Sequence, residues 1–480
     1  MTDGDHLESG APLPTMTDKN FRSTCQGDPR LPATVAPWMI DEIRQQDGRK
    51  VHDLVEQYGS PLHWINPVPF EKNVKNLQEI FKQFDLDSDI FFARKANKCL
   101  TFVESMQKLD GGVAVASIDE LIQVLDFEMP SEKIICTAAV KSRELVQMCV
   151  QNDVTIVIDN RDELSLAAEI SPSAKIAIRI GGFTHEGTKL QTRFGFDVDD
   201  VVSIIQKHCN LSVEGIQFDL EGCDWNQRVS AINQSLPIVD ELREEGHPVQ
   251  FLDIGGGFPV NYLENESDWD EFWTEHFSAL QNRRPPITFQ NHALGLGIYE
   301  GQIYGDANVY PFFQSPSQNE WLESILNSVS DDIKKRQLQL RCEPGRALLD
   351  GTGMTAARVE FVKERTGPCD DYFIGLSMNR TQCRSGSDDF LVDPILVKKS
   401  QISKPAKKSG YLVGAYCTES ELLSLRKLHF PNGIERGDIV ISPNTAGYFM
   451  HSMESRSHQF PLAKNYLYRE DRLDDIDYLA

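Results

Sequence analysis

Basic residues are scarce. Lysine and arginine number 48 against 72 aspartates and glutamates, a formal charge of −24 over 480 residues. A surface of that sign cannot displace phosphate counterions, which excludes nonspecific nucleic-acid binding, and anionic lipid repels it. Long apolar runs are also missing; none approaches the ~18 residues of a membrane helix. The opening Met1-Thr2-Asp3-Gly4-Asp5-His6 has no basic stretch ahead of an apolar one, so no secretory leader is expected. The ten cysteines form no Cys-x-x-Cys pair and no Cys/His cluster with zinc spacing. Neither a disulfide framework nor a metal site is expected, and a reducing cytoplasm suits the chain. There is no internal repeat and no low-complexity tract.

What is present is an ordinary globular mixture, 40% hydrophobic and 25% charged, long enough for two to four domains. Residues 1–30 are polar and rich in Gly, Pro, Ser, Thr and Asp, and read as a disordered tail. Order is expected from Trp38-Met39-Ile40, with a helical pattern through Val51, Leu54 and Val55 and a short strand at Pro61–Ile65. From residue 90, short β-branched runs alternate with amphipathic stretches such as Val103–Leu109 and Ile118–Leu125. The runs are Ile90–Ala93, Gly112–Ala116, Ile134–Thr137, Val154–Ile158, Ile176–Ile180, Gly215–Leu220, Phe251–Ile254 and Leu338–Cys342. Alternation of this kind means βα units and a parallel sheet, and eight of them predict an α/β architecture, a closed TIM-like (β/α)₈ barrel over 69–347. The interval before the eighth run is too long for a plain loop, so a folded insertion is expected near 260–335. After Leu349 helical periodicity fades and short β-like runs predict a mainly antiparallel β domain over 348–480, with 31–68 packed against it.

Catalytic groups of such barrels stand at the C-terminal strand ends. The first strand ends Ala93-Arg94-Lys95-Ala96-Asn97. A lysine pointing inward there would be desolvated, with a lowered pKa suited to Schiff-base chemistry, although a lone strand-end lysine is more often simply solvated. The seventh strand ends Asp253-Ile254-Gly255-Gly256-Gly257-Phe258-Pro259, whose bare N–H groups can cradle an anion; a tight turn explains a glycine run about as often. The eighth ends Glu343-Pro344-Gly345-Arg346, an acid and a base on one turn, with a structural ion pair as the plain alternative. Lysine, anion cradle and carboxylate at ends one, seven and eight together match what pyridoxal phosphate needs.

With these residues the sequence resembles the fold-type III pyridoxal-phosphate decarboxylases, the group of ornithine, arginine and diaminopimelate decarboxylases, and more distantly alanine racemase. The resemblance spans about residues 60–455. It implies that Lys95 bonds covalently to the cofactor, that Gly255, Gly256 and Gly257 hold its phosphate with help from Arg346, and that Glu343 binds the ring nitrogen. It further implies that Arg179 supports that glutamate and that Tyr448, in Ala446-Gly447-Tyr448, touches the phosphate. Gly345 belongs to the intact Glu-Pro-Gly-Arg motif, and Arg193-Phe194-Gly195 looks like the family's Lys/Arg-Phe-Gly. Gly414-Ala415-Tyr416-Cys417 resembles the segment whose cysteine reaches the partner subunit's site, which implies a homodimer with shared sites and Cys417 as the acid that protonates Cα.

Departures matter as much. Phe218-Asp219-Leu220-Glu221-Gly222 stands where the family has Phe-His-x-Gly-Ser, so Asp219 replaces a stacking histidine and Gly222 a serine. Ala114 replaces an aspartate on the second strand. Thr418 follows the cysteine where basic-amino-acid decarboxylases place an acid, with Glu419 next. Thr418, Glu419, Arg380 and Arg384 are the expected substrate contacts. Phe218–Gly222 and Met378–Gln382 look closer to a subgroup of specialised metabolism that acts on modified or conjugated amino acids. The resemblance therefore implies decarboxylation of an amino-acid-type small molecule, with a racemase or epimerase, or a non-catalytic regulatory relative, as the alternatives.

Overall fold

The computed structural model describes residues 23–479 apart from 209–210, 368–369, 387 and 401–405. Each of the eight β-branched runs is a strand: β1 (Ser88–Ala93), β2 (Gly112–Val115), β3 (Ile134–Cys136), β4 (Thr155–Ile158), β5 (Ile176–Gly181), β6 (Val213–Gln217), β7 (Phe251–Asp253) and β8 (Gln339–Cys342). Neighbours pair in parallel all the way round, and β8 closes on β1 with Cys342 opposite Ile90. The α/β expectation and the closed barrel are thus both present.

The βα turns are made by residues that favour helix starts. Ser117, Ser142 and Asn160 each accept from the backbone N–H three residues on. Glu120 and Glu163 reach back further, accepting from the N–H of Ala116 and Asp159, the residues just before those caps. Helix Leu100–Lys108 has no such residue before it. Its first N–H groups, of Leu100 and Thr101, donate instead to Asp474, 374 positions along the chain, at 2.9 and 3.0 Å. Asp474→Ala is expected to cost about 1–2 kcal/mol, the upper range of a lost cap, read as a lower urea midpoint at unchanged slope.

Inside the barrel, Phe91, Ala114, Ile135, Val157, Ala177 and Phe251 make an apolar floor. Gly215 keeps it closed, because a Cβ there would lie 2.2 Å from the Phe251 ring. Side chains two residues further along a strand point to the same interior, one layer nearer the C-terminal mouth. That rule stacks Ala116, Thr137, Asp159, Arg179, Gln217, Asp253 and Glu343 directly above the floor.

The second unit is built round β9 (Gly353–Glu364), which pairs antiparallel with Tyr372–Leu376, Ile439–Ser442 and Leu62–Ile65. The sheet is mainly antiparallel, with parallel pairs at Tyr372–Leu376/Lys408–Val413 and Leu62–Ile65/Lys464–Leu467. Trp38, Met39, Ile43, Val51, Leu54 and Val55 share an apolar cluster with Met354, Ile395 and Ile441 of this domain.

Two boundaries differ from the sequence expectation. Of the expected tail, residues 1–22 lie outside the described residues, but 23–30 are built into the β domain: Gln26–Gly27 pairs with Leu428–His429 and Cys25 is fully buried. A Gly/Pro-rich composition conceals this because the strand is held by backbone. The interval 260–335 is also only partly an insertion. Helix Gln318–Lys335 packs on Trp225–Glu244 and is the crossover helix that any parallel β7–β8 connection requires. The added part comprises helix Glu266–Leu280 and the hairpin Gly297–Tyr299/Gln302–Tyr304. Among the described residues no helix is long and apolar enough to cross a membrane.

Candidate active site

A cavity of about 650 Å³ opens at the C-terminal mouth of the barrel, lined among others by Lys95, Arg179, Asp219, Gly256, Gly257, Glu343 and Tyr448. Gly222, Gly255, Gly345 and Arg346 are not among the residues that line it. Gly255 and Gly257 have φ of 66° and 84°, which side-chain-bearing residues rarely adopt, and a Cβ on Gly256 would lie 2.9 Å from the Glu343 carbonyl oxygen. Gly345 is required by a close approach too: a Cβ there would sit 2.8 Å from the Tyr448 hydroxyl. Tyr448 itself has φ 72° and is pinned by its N–H to the Ala96 carbonyl at 2.9 Å. Arg346 donates to the Tyr262 hydroxyl at 2.9 Å and lies 4.1 Å above the Tyr310 ring. Tyr310 comes from the β7–β8 interval, so the added segment supports this corner.

The layer above the floor is a hydrogen-bonded chain. Asp159 Oδ1 accepts from Arg179 Nη1 at 3.0 Å, and Arg179 Nη2 donates to the Thr137 carbonyl at 2.7 Å. Arg179 Nε donates to Gln217 Oε1 at 2.8 Å, and Gln217 Nε2 donates to both Asp219 Oδ2 and Glu343 Oε1 at 3.0 Å. Burial, then the charge of Asp219, pushes the Glu343 carboxyl up to about 7. Burial acts on Asp219 as well, but Lys95 and Arg179 outweigh it and lower its pKa. Burial, then Glu343, raises Asp253 well above the carboxylate range.

Lys95 corrects the sequence expectation. Burial pulls its pKa down, but Tyr448, Asp219 and Glu343 more than compensate, and the net shift is upward. A strand end read alone cannot reveal those neighbours.

Arg228 was not singled out from sequence. It is 1% exposed on helix Trp225–Glu244, and its Nη2 donates to the carbonyls of Leu220, Gly222 and Gly256. Its Nε and Nη1 have no hydrogen-bond partner among the described residues. A buried guanidinium beside a glycine cradle calls for an anion. Asp159, Gln217 and Asp253 were missed as well. The signal that finds them is the two-residue parity from the floor.

The remaining expected contacts lie elsewhere. Cys417, Thr418 and Glu419 are exposed and do not line the Lys95 cavity of their own chain. Arg380, Arg384 and Glu419 line a second cavity of about 580 Å³ with His292 and Asn308. Arg384 is held by Asp389 at 3.3 Å, and Arg380 Nε lies 3.9 Å from Glu421. Arg193 stacks on Phe194 at the mouth, 3.9 Å from the ring centre. Ala114 is part of the barrel floor, where a carboxylate would have no room to be solvated.

Residues 70–292 match the family of the pyridoxal-dependent decarboxylases, pyridoxal binding domain. An uncharacterized protein of Sinorhizobium fredii is 26% identical over 442 residues, covering 88% of this chain and 91% of that one. A diaminopimelate decarboxylase of Methanocaldococcus jannaschii is 23% identical over 351 residues, 66% of this chain and 67% of that one. The crystal structure of diaminopimelate decarboxylase from M. jannaschii with L-lysine superposes with a TM-score of 0.68 at 19% identity, over 88% of this chain and 91% of that one, and has the same fold. Pyridoxal phosphate is the cofactor of such a domain. The residues present fit it: an amine at Lys95, a protonatable carboxyl at Glu343, and a glycine cradle backed by the unpartnered nitrogens of Arg228.

Proposed function

We propose, on the premise that residues 70–292 form a pyridoxal-binding domain of the pyridoxal-dependent decarboxylases, that this chain releases the α-carboxylate of an amino acid or amino-acid conjugate as CO₂. The observation that carries the reading is that Lys95, Asp219, Glu343, Gly256 and Gly257 share one cavity at the mouth of a closed barrel. Bound pyridoxal phosphate supplies an aldehyde that links to amines and a ring that accepts the electron pair left by departing CO₂. Lys95 is the amine in the cavity that would hold that aldehyde. Gly256 and Gly257 would offer backbone N–H groups to its phosphate, with the Arg228 cation, bonded to the Gly256 carbonyl, beside them. Glu343, poised at about 7, can keep a ring nitrogen protonated, which favours full charge uptake by the ring and so decarboxylation over racemisation. Turnover with amino acids and conjugates in deuterated water tests this: loss of CO₂ with gain of one deuterium at Cα is expected, and Cα labelling without loss of CO₂ would mean a racemase.

Cys417 is assigned as the acid that protonates Cα in a neighbouring copy of the chain, so that two copies share their sites. Its exposure, outside the Lys95 cavity of its own chain, supports this. Cys417→Ala is expected to lower kcat by roughly 10²–10⁴-fold while cofactor binding persists. Mixing inactive Lys95→Ala with Cys417→Ala chains tests the sharing. Random exchange into two-fold dimers regenerates about a quarter of the parent sites; no regained activity after proven exchange would refute it.

A further inference from the structure

We propose that Gln217 is a positioning residue: by donating one amide hydrogen to Asp219 and the other to Glu343, it makes the two carboxylates a pair that shares one proton at neutral pH, with the proton on Glu343 and the charge on Asp219. The resemblance to known decarboxylases assigns nothing to this position, and Asp219 stands where a histidine would.

The orientation of the amide is fixed by chemistry. Arg179 can only donate, so the Gln217 atom that meets its Nε at 2.8 Å is the carbonyl oxygen, and the NH₂ group faces the carboxylates. Both acceptors lie 3.0 Å from that one nitrogen. Gln217 is 0% exposed and Glu343 4%, so the amide is held by these protein partners rather than by solvent.

Charge balance then sets the proton count. The groups facing the pair are Lys95 beyond β1, Arg179 on β5, Arg228 on helix Trp225–Glu244, Asp253 on β7 and Tyr448 from the β domain. Arg179 is neutralised by Asp159 at 3.0 Å. Asp253 Oδ1 accepts from the Gly255 N–H, and burial raises its carboxyl well above the usual carboxylate value, so it adds little negative charge to the pair. Arg228, whose unpartnered nitrogens are assigned above to the phosphate, is set aside from this balance, so Lys95 is left as the cation open to the cavity, and one ammonium balances one carboxylate. Asp219 keeps the charge because Arg179 Nε is also 4.0 Å from its Oδ2 and Arg228 attracts it. Glu343 takes the proton. Like-charged carboxylates bridged by one donor are the arrangement that splits two pKa values.

The test uses Gln217→Leu, Asp219→Asn and the double variant, with two readouts. The first is the pH titration of the visible absorbance of bound pyridoxal phosphate. Losing both donors makes the pair hold its proton more tightly, so Gln217→Leu is expected to raise the midpoint by about one unit or more. Removing the neighbouring charge in Asp219→Asn lowers it by a similar amount, about one unit. In the double variant the leucine adds less than half its single effect, since a neutral asparagine oxygen is a weaker acceptor than the carboxylate it replaces and no second negative charge is left for Gln217 to offset. The second readout is urea stability of the cofactor-free chain, where Gln217→Leu loses more at pH 8 than at pH 5. Unchanged midpoints, or a stability loss equal at both pH values, would overturn the proposal. Should Gln217→Leu not fold, Asp219→Asn decides alone: an unmoved midpoint means the carboxylates are not a pair. The absorbance readout rests on the cavity holding the cofactor, whereas the urea readout does not, so the two readings fail separately.

Discussion

Lys95→Ala is expected to lower kcat by at least about 10³-fold, because the amine that exchanges with the substrate for the aldehyde is gone. Lys95 opens into the cavity rather than into the core, so its truncation leaves the barrel packing intact. Its loss does remove the counter-charge of Asp219 and Glu343. The variant chain should therefore bind an extra proton at neutral pH, and its stability without cofactor should fall between pH 6 and pH 8, where the parent varies less. A small primary amine added to the assay should restore part of the CO₂ release, since it supplies the missing nucleophile. A variant that decarboxylates at the parent rate would remove Lys95 from the chemistry.

Glu343→Gln is expected to move activity and stability in opposite directions. The carboxyl is raised from 4.5 to about 7 by burial and by Asp219. The folded chain thus binds a proton more tightly than the unfolded chain between those values. Stability from this group is fully present below pH 4.5 and is lost as the pH rises through 7. Glutamine mimics the protonated form and keeps an oxygen for Gln217 Nε2. The cofactor-free variant should match the parent near pH 4–5 and exceed it at pH 8 by on the order of 1–3 kcal/mol. Turnover should nevertheless fall by roughly 10²–10⁴-fold, because an amide cannot hold the ring nitrogen protonated. Urea melts at the two pH values and a rate of CO₂ release check both halves. A variant less stable at pH 8 would mean that Glu343 is ionised at no cost, and the pairing with Asp219 would be wrong.

The barrel was legible because its eight strands are buried over most of their length and read as short β-branched runs separated by amphipathic helices. The residues at strand ends one, seven and eight were legible because chemistry there is concentrated in compact motifs. Gln217, Asp159 and Asp253 were not, since each is an ordinary polar residue in its local stretch. They gain meaning once the floor residues Ala177, Val157 and Phe251 fix which way the strands face. Arg228 was hidden for another reason: on its helix it looks like a solvated arginine, and only the fold brings Leu220, Gly222 and Gly256 round it. The raised pKa of Lys95 was missed because it depends on Tyr448, Asp219 and Glu343, which are far away in sequence. The Gln26–Gly27 strand was missed because polar composition describes side chains, whereas that strand is held by the backbone of Leu428–His429.

The covalent role of Lys95 can be tested most directly by chemical trapping. The chain loaded with pyridoxal phosphate is reduced with borohydride, digested and analysed by mass spectrometry. A pyridoxyl group on the peptide that contains Lys95, and its disappearance in Lys95→Ala, is the predicted result. A pyridoxyl group on a different lysine, or on none in a chain that still releases CO₂, would contradict the account.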